Sequence, residues 1–156
     1  MSNKISEITR RNILDFIQVE GFWWSGRLEE ADFLSRIFDL ENIESLDSRF
    51  DNAAGDIWQH RVNNPEDWPD NWIFQDERFN LLGCDDSIFL NFLCEMVHPL
   101  VRPNTSEVTK MVQLFNDNLD VDNFEIVEKT KISNRPLFIG RLKITGKESI
   151  EKKGKE

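Results

Sequence analysis

Apolar residues recur at helical spacing over most of the chain and shift to an alternating pattern only near its end. Residues 5–20 carry Ile5, Ile8, Ile13, Phe16 and Ile17, spacings compatible with one helix, with Ser6 as a candidate N-cap and Gly21 as its stop. An aromatic loop, Phe22-Trp23-Trp24-Ser25-Gly26, follows. Residues 28–40 set Leu28, Ala31, Leu34, Ile37 and Phe38 on one side and predict the cleanest amphipathic helix of the chain. Residues 42–51 are polar and read as a loop, and 53–62 predict a short third helix. The segment 63–82, rich in Asp, Asn, Pro and Trp, is long for an unstructured connection. Such a segment is either packed by its own aromatics or functional.

Asp85-Asp86-Ser87 opens a helix that runs to His98 and stops at Pro99. Ile88, Phe89, Leu90, Phe92, Leu93, Met96 and Val97 leave it almost no polar side, which predicts a buried central helix. Residues 105–119 predict another helix, capped by Thr105 or Ser106, with Val108, Met111, Val112 and Phe115 facing inward. The period then falls towards two. Residues 124–127 and 137–142 predict two strands, with the turn at Ser133-Asn134-Arg135-Pro136. The expected fold is mainly α, of the α+β class: about five helices around the buried one, closed by a C-terminal β-hairpin. One domain is expected over residues 1–145, followed by a Lys/Glu-rich polar tail at 146–156. No internal repeat is visible.

The 156 residues, 39% of them apolar, suffice for a core without disulfides or metal. Twelve Phe and five Trp without a Tyr supply bulk without phenolic handles. The formal net charge of −10 opposes non-specific binding to nucleic acid and to anionic membranes. Within residues 41–86, twelve acids face three arginines, so the repulsive field is centred on the middle of the chain. The start lacks the apolar run of a signal peptide, and no stretch approaches membrane-spanning length. These features predict a cytoplasmic protein. Cys84 and Cys94 permit one disulfide arithmetically, but Cys94 lies in an apolar helical run and reads as a buried thiol.

Candidate chemistry is sparse. Asp56 and His60 are four apart on the third helix, so they share a side where a carboxylate can tune an imidazole base. No nucleophile accompanies them. The spacing of Cys84 and Cys94 does not suit structural zinc, and no calcium loop or phosphate-binding glycine motif occurs. Neither a metal nor a cofactor is expected. Glu151-Lys152-Lys153 matches a nuclease E-x-K fragment but lies in the polar tail. Arg27, Arg36, Arg49, Arg61 and Arg102 are isolated cations in acidic surroundings, and two or three converging would form an anion pocket. Trp23-Trp24 beside Arg27, and Trp68 and Trp72 flanking Pro69-Asp70, have the composition of an interaction surface. Core caps have the same composition.

Several phrases occur in order: Trp24-Ser25-Gly26-Arg27-Leu28, Phe33-Leu34-Ser35-Arg36-Ile37-Phe38-Asp39-Leu40, Asp47-Ser48-Arg49-Phe50 and Gly55-Asp56-Ile57-Trp58-Gln59-His60-Arg61. The run from Phe89 to Pro99, Val101-Arg102-Pro103 and Phe115-Asn116 complete the series. From about Ile8 to Arg141 the chain resembles the third class of AbiJ-type abortive-infection N-terminal domains. The resemblance implies a sensor-like module of prokaryotic anti-phage systems, usually N-terminal to an effector such as a HEPN ribonuclease. It carries no catalytic set. The HEPN site requires an Arg four to six intervening residues before a His. Here those positions hold Ala53, Ala54 and Gly55 before His60, and Asn91, Phe92 and Leu93 before His98. These 156 residues carry no effector after the domain, a departure from the usual architecture; the expectation is either a separate effector chain or a domain excised or left over from a longer protein.

The expectation is a non-catalytic recognition domain whose partner is an effector protein or a phage-derived trigger. Its candidate binding residues are Trp23, Trp24, Arg27, Arg49, Asp56, His60, Arg61, Trp68, Trp72 and Arg102. Two alternatives stand beside it: a small metal-dependent nuclease or hydrolase using Asp56 and His60, and an anion or nucleotide sensor using converging arginines.

Overall fold

A computed structural model describes residues 4–143 of the chain. The polar tail and the E-x-K fragment lie outside the described residues, as do the ends of the expected domain.

The first helix, α1 (Glu7–Glu20), begins where Ser6 Oγ accepts the Thr9 amide at 3.2 Å. It ends at Gly21, whose φ of 78° is the left-handed conformation that glycine adopts without a Cβ penalty. Ile13, Leu14 and Ile17 face the core, and Ile5 is buried just ahead of the helix. Ile8 and Phe16 lie on the outer side instead, 69% and 43% exposed. The inward position one turn before Ile13 belongs to Arg10, which is fully buried. Its guanidinium donates to the Ile5 and Leu81 carbonyls and to Asp86.

The second helix, α2 (Glu30–Ser35), is about half the length that residues 28–40 predicted. After Leu34 the chain tightens, because Phe38 turns aside to meet the Phe79 ring at 4.9 Å and Leu40 buries in a 3-10 turn, Leu40–Asn42. The third helix, α3 (Ala53–Ile57), is capped by Asn52 and widens into a π-helical segment, Trp58–Asn63. The segment 63–82 is packed by its own aromatics. Its 3-10 turn Trp72–Phe74 is buried, as are Phe79 and Leu81.

The central helix, α4 (Asp86–Met96), stops two residues before His98. Phe89, Phe92, Leu93 and Met96 are wholly inaccessible, and Phe92 meets Phe33 edge-on at 5.5 Å. The last helix, α5 (Thr105–Leu119), is capped by neither Thr105 nor Ser106 but by Asn104, whose Oδ1 accepts the Ser106 and Glu107 amides. An Asx side chain reaches those amides from the position before the first helical residue. Val108, Met111, Phe115 and Leu119 face the core.

Two antiparallel strands, β1 (Phe124–Ile132) and β2 (Arg135–Leu142), form the hairpin. β1 is longer than predicted because its second half, Glu128 to Ile132, is exposed throughout and shows no alternation. Only pairing with β2 defines it. The turn is two residues, Ser133 and Asn134, both at positive φ, the geometry of a primed hairpin turn. Pro136 belongs to the strand, opposite Lys131. A Cβ at Gly140 would meet Leu90 Cβ at 2.7 Å, so β2 lies directly on α4.

Cys94 is a free, partly buried thiol. Burial, reinforced by Glu95, pushes the Cys94 thiol up to about 12, which makes it a poor nucleophile. Among the described residues no helix is long and apolar enough to cross a membrane.

Candidate functional site

The ten candidate residues divide into an ionic network that reaches the surface at Arg49, the core residue Trp24, and an open ridge. The network fills the space between α2, α3 and the segment 63–82. Arg61 donates to Glu30 at 2.7 Å and to Asp70 at 3.0 Å, and also to the Pro65 and Trp68 carbonyls. Glu30 in turn accepts the Trp72 indole at 2.9 Å. The pairing with Glu30 holds Arg61 in its charged form more firmly than usual. Arg61 therefore anchors three loop carbonyls or carboxylates to one helix and has little capacity left for a ligand.

Asp56 is fully buried. It accepts from Arg78 at 3.0 Å, from the Leu46 amide at 2.6 Å and from Ser45 Oγ at 3.2 Å. His60 is held elsewhere. Its Nδ1 lies 2.8 Å from Asp67 and its Nε2 3.0 Å from Asp47, and its ring stacks on Trp68 at 5.0 Å. Asp56 and His60 therefore do not bond each other directly; they are joined at one remove, because Ser45 Oγ donates to Asp56 and to the carbonyl of Asp47, whose carboxylate meets His60. The π-helical widening that starts at Trp58 turns His60 towards the two loops, while Asp56 stays under Arg78. Burial disfavours a charged His60, but hydrogen bonds and charge from Asp67 and Asp47 outweigh it and raise its pKa. Asp47 is held well below the usual carboxylate range by the Arg49 side chain and backbone amide. Arg49 forms a fork with Asp47 at the surface. Among the described residues no group of three or more His, Cys, Asp or Glu is arranged to hold a metal ion.

Trp68 and Trp72 join this interior, with ring centroids 4.9 Å apart. Trp72 is buried and Trp68 half-buried. Trp24 is 3% exposed, packs against Phe33, Trp72 and Phe92, and donates its indole N–H to the Asp70 carbonyl at 3.1 Å. Three of the four candidate tryptophans are therefore core or core cap.

Trp23 is the exception, 43% exposed on a rigid base. Arg102 is buried against the Met96 carbonyl, and its guanidinium donates to the Trp23 carbonyl and to Glu107. The next peptides are equally constrained. Gly26, at φ 59°, has no room for a Cβ, which would lie 2.2 Å from the Val101 oxygen. The Arg27 amide donates to that oxygen at 3.0 Å. Arg27 Nε donates to the Leu100 carbonyl at 2.8 Å and its side chain stays exposed. An open cleft of about 400 Å³ runs between Trp23, Arg27 and Pro103. Arg27 and Arg102 share this cleft, but Arg102 is committed to carbonyls and to Glu107, so the two do not form an open anion cage. Arg36 lies elsewhere, on Glu95 at 2.6 Å.

Sequence reasoning passed over Arg78, Glu30 and Asp47, which complete the network, and Trp58, which is 49% exposed. Trp58 follows directly on the buried Ile57, a step of about 100° that turns it off the inner side of a helix. The pairing of Glu30 with Arg61 spans 31 residues and left no local signal.

The described residues thus form a small α+β domain with an ionic network beside its aromatic core and an exposed Trp–Arg ridge. The family model for AbiJ N-terminal domain 3 matches residues 4–140, and the chain belongs to that family. No curated protein and no solved structure matches it.

Proposed function

We propose that this chain is a non-catalytic recognition domain of a prokaryotic anti-phage abortive-infection system, and that it engages an effector protein or a phage-derived trigger through the Trp23–Arg27 ridge. The observation that carries this reading is the half-exposed Trp23 indole on a backbone locked by Arg102 and Val101. A rigid indole beside a guanidinium offers large contact area and directed hydrogen bonds at little entropic cost on binding. Membership of the AbiJ N-terminal domain 3 family supports the setting. The commitment of Asp56 to Arg78, Leu46 and Ser45 speaks against its use as a base.

The test is a pull-down with the purified chain from phage-infected and uninfected cells, in parallel with Trp23→Ala. A partner captured by the natural chain and lost from the variant supports the reading. A parallel incubation with RNA and DNA in magnesium or manganese should leave both intact. Cleavage that disappears in His60→Ala would establish an enzyme instead.

A further inference from the structure

The pairing of the arginines singles out one cavity. Acidic residues outnumber Lys and Arg by 29 to 19, so a cation on this chain has carboxylates to spare around it. Apart from Arg27 and Arg135, every arginine holds a carboxylate in an ion pair. Arg27 lines the open cleft beside Trp23. Arg135 is half-buried at the start of β2 and donates through Nη1 to the Pro103 carbonyl. Among the described residues no carboxylate meets it, and its Nε and Nη2 donate to none of them.

Arg135 lines a cavity of about 250 Å³ between the end of α4, the start of α5 and the hairpin. Most of the wall is apolar, from Val97, Pro99, Val108, Pro136 and Phe138. The two prolines have no N–H to offer a ligand. The Thr109 hydroxyl is spent within α5, on the Thr105 carbonyl at 3.0 Å. Two other charged residues line the cavity, and both are compensated: Arg102 pairs with Glu107 at 3.0 Å, and the exposed Glu128 with Lys131 at 2.9 Å. The uncompensated charge on the wall is therefore the Arg135 guanidinium. The cavity is separate from the Trp23–Arg27 cleft, with which it shares only Arg102.

An apolar cavity with one unmatched cation suits a ligand that joins an apolar body to a single negative charge. A guanidinium presents its N–H groups as a planar fork that matches a carboxylate. At about 30 Å³ for each water-sized group, there is room for about eight non-hydrogen atoms. We propose that this cavity binds a small organic monocarboxylate, with the carboxylate on Arg135 and the apolar body against Val97, Val108 and Phe138. Trp23 takes no part in this site.

Hexanoate is of the right size and serves as the probe, followed by two-dimensional amide NMR of the isotope-labelled full chain. Saturable shifts centred on Val97, Thr105, Val108 and Phe138 are expected, with a Kd of about 1 mM or below. Hexanol has the same body without the charge, and acetate the charge without the body. Each should bind at least about tenfold more weakly than hexanoate. Arg135→Gln should weaken hexanoate at least about tenfold, and its amide spectrum shows that it is folded. In the natural chain, raising salt from about 20 to about 300 mM should weaken hexanoate, a readout that needs no variant. Absence of saturable shifts overturns the proposal, as do shifts scattered over the surface. Hexanol or acetate binding as tightly as hexanoate overturns it too, as does a hexanoate affinity that neither Arg135→Gln nor salt changes.

Discussion

Trp23 and Trp24 are neighbours in the chain and point in opposite directions: Trp24 stacks into the Phe33–Phe92 core, and Trp23 stands 43% exposed over the Arg27 cleft. The two positions should therefore respond to truncation in opposite ways. Trp24→Ala is expected to cost about 3–5 kcal/mol in urea unfolding, as for a large buried aromatic. Trp23→Ala should change stability by less than about 1 kcal/mol and weaken partner binding by about 2 kcal/mol or more. Equal stability losses at both positions would show that the exposed indole is structural.

Phe92→Ala should cost about 3–5 kcal/mol, since Phe92 is wholly buried between Phe33 and Trp24. Denaturant melts measure it. A loss under about 1 kcal/mol would contradict the central position of α4.

Two glycines at positive φ should behave differently when a methyl group is added. At Gly21 no atom lies within 4 Å of a new Cβ, so Gly21→Ala should cost only the left-handed backbone strain, about 1–2 kcal/mol. At Gly26 the Cβ would meet the Val101 oxygen at 2.2 Å. Gly26→Ala should therefore cost clearly more and should also disturb the ridge, visible as a loss of partner binding in the folded fraction.

His60 predicts a pH dependence of stability. Its pKa is raised above the ordinary 6.5 by Asp67 and Asp47, against the opposing effect of burial. The stabilisation is fully present below the unfolded pKa and is lost as pH rises through the folded one. The natural chain should lose stability across that interval, and His60→Gln should flatten the loss. Unfolding curves at closely spaced pH values, with the His60 ring titrated by NMR, would expose any mismatch.

Asp56→Ala should cost about 2–3 kcal/mol, less than the about 3–5 of a buried pair broken outright, because Asp76 still pairs with Arg78. The ridge is far from this contact in bonding terms, so partner binding by the folded variant should be unchanged. Binding lost in step with Asp56 would mean that the network belongs to the recognition surface.

What was readable from the residues themselves is local. The continuous apolar run of α4, the 3.6-residue period of α5, the Ser6 cap and the Gly21 stop on α1, and the alternation at the start of β1 are all patterns within a few residues. The family resemblance is legible in the same way, from short phrases in order. The chain alone therefore determined the class of fold, the central place of Phe89, Phe92 and Leu93, and the candidacy of Trp23 and Arg27. It could not determine which tryptophan faces outward, because an indole suits a core and an interface equally well. Trp24 is drawn inward by Phe33, Trp72 and Phe92, which come from distant parts of the chain. The fate of the ions was equally remote: Arg10 finds Asp86 across 76 residues, and Arg102 finds the Trp23 carbonyl across 79. A buried charge must be paired and hydrogen-bonded wherever partners lie in space, and no local pattern encodes such partners. Tertiary packing alone decided that Asp56 and His60 take different partners, that Arg10 is buried on the inner side of α1, and that Trp23 is left standing at the surface.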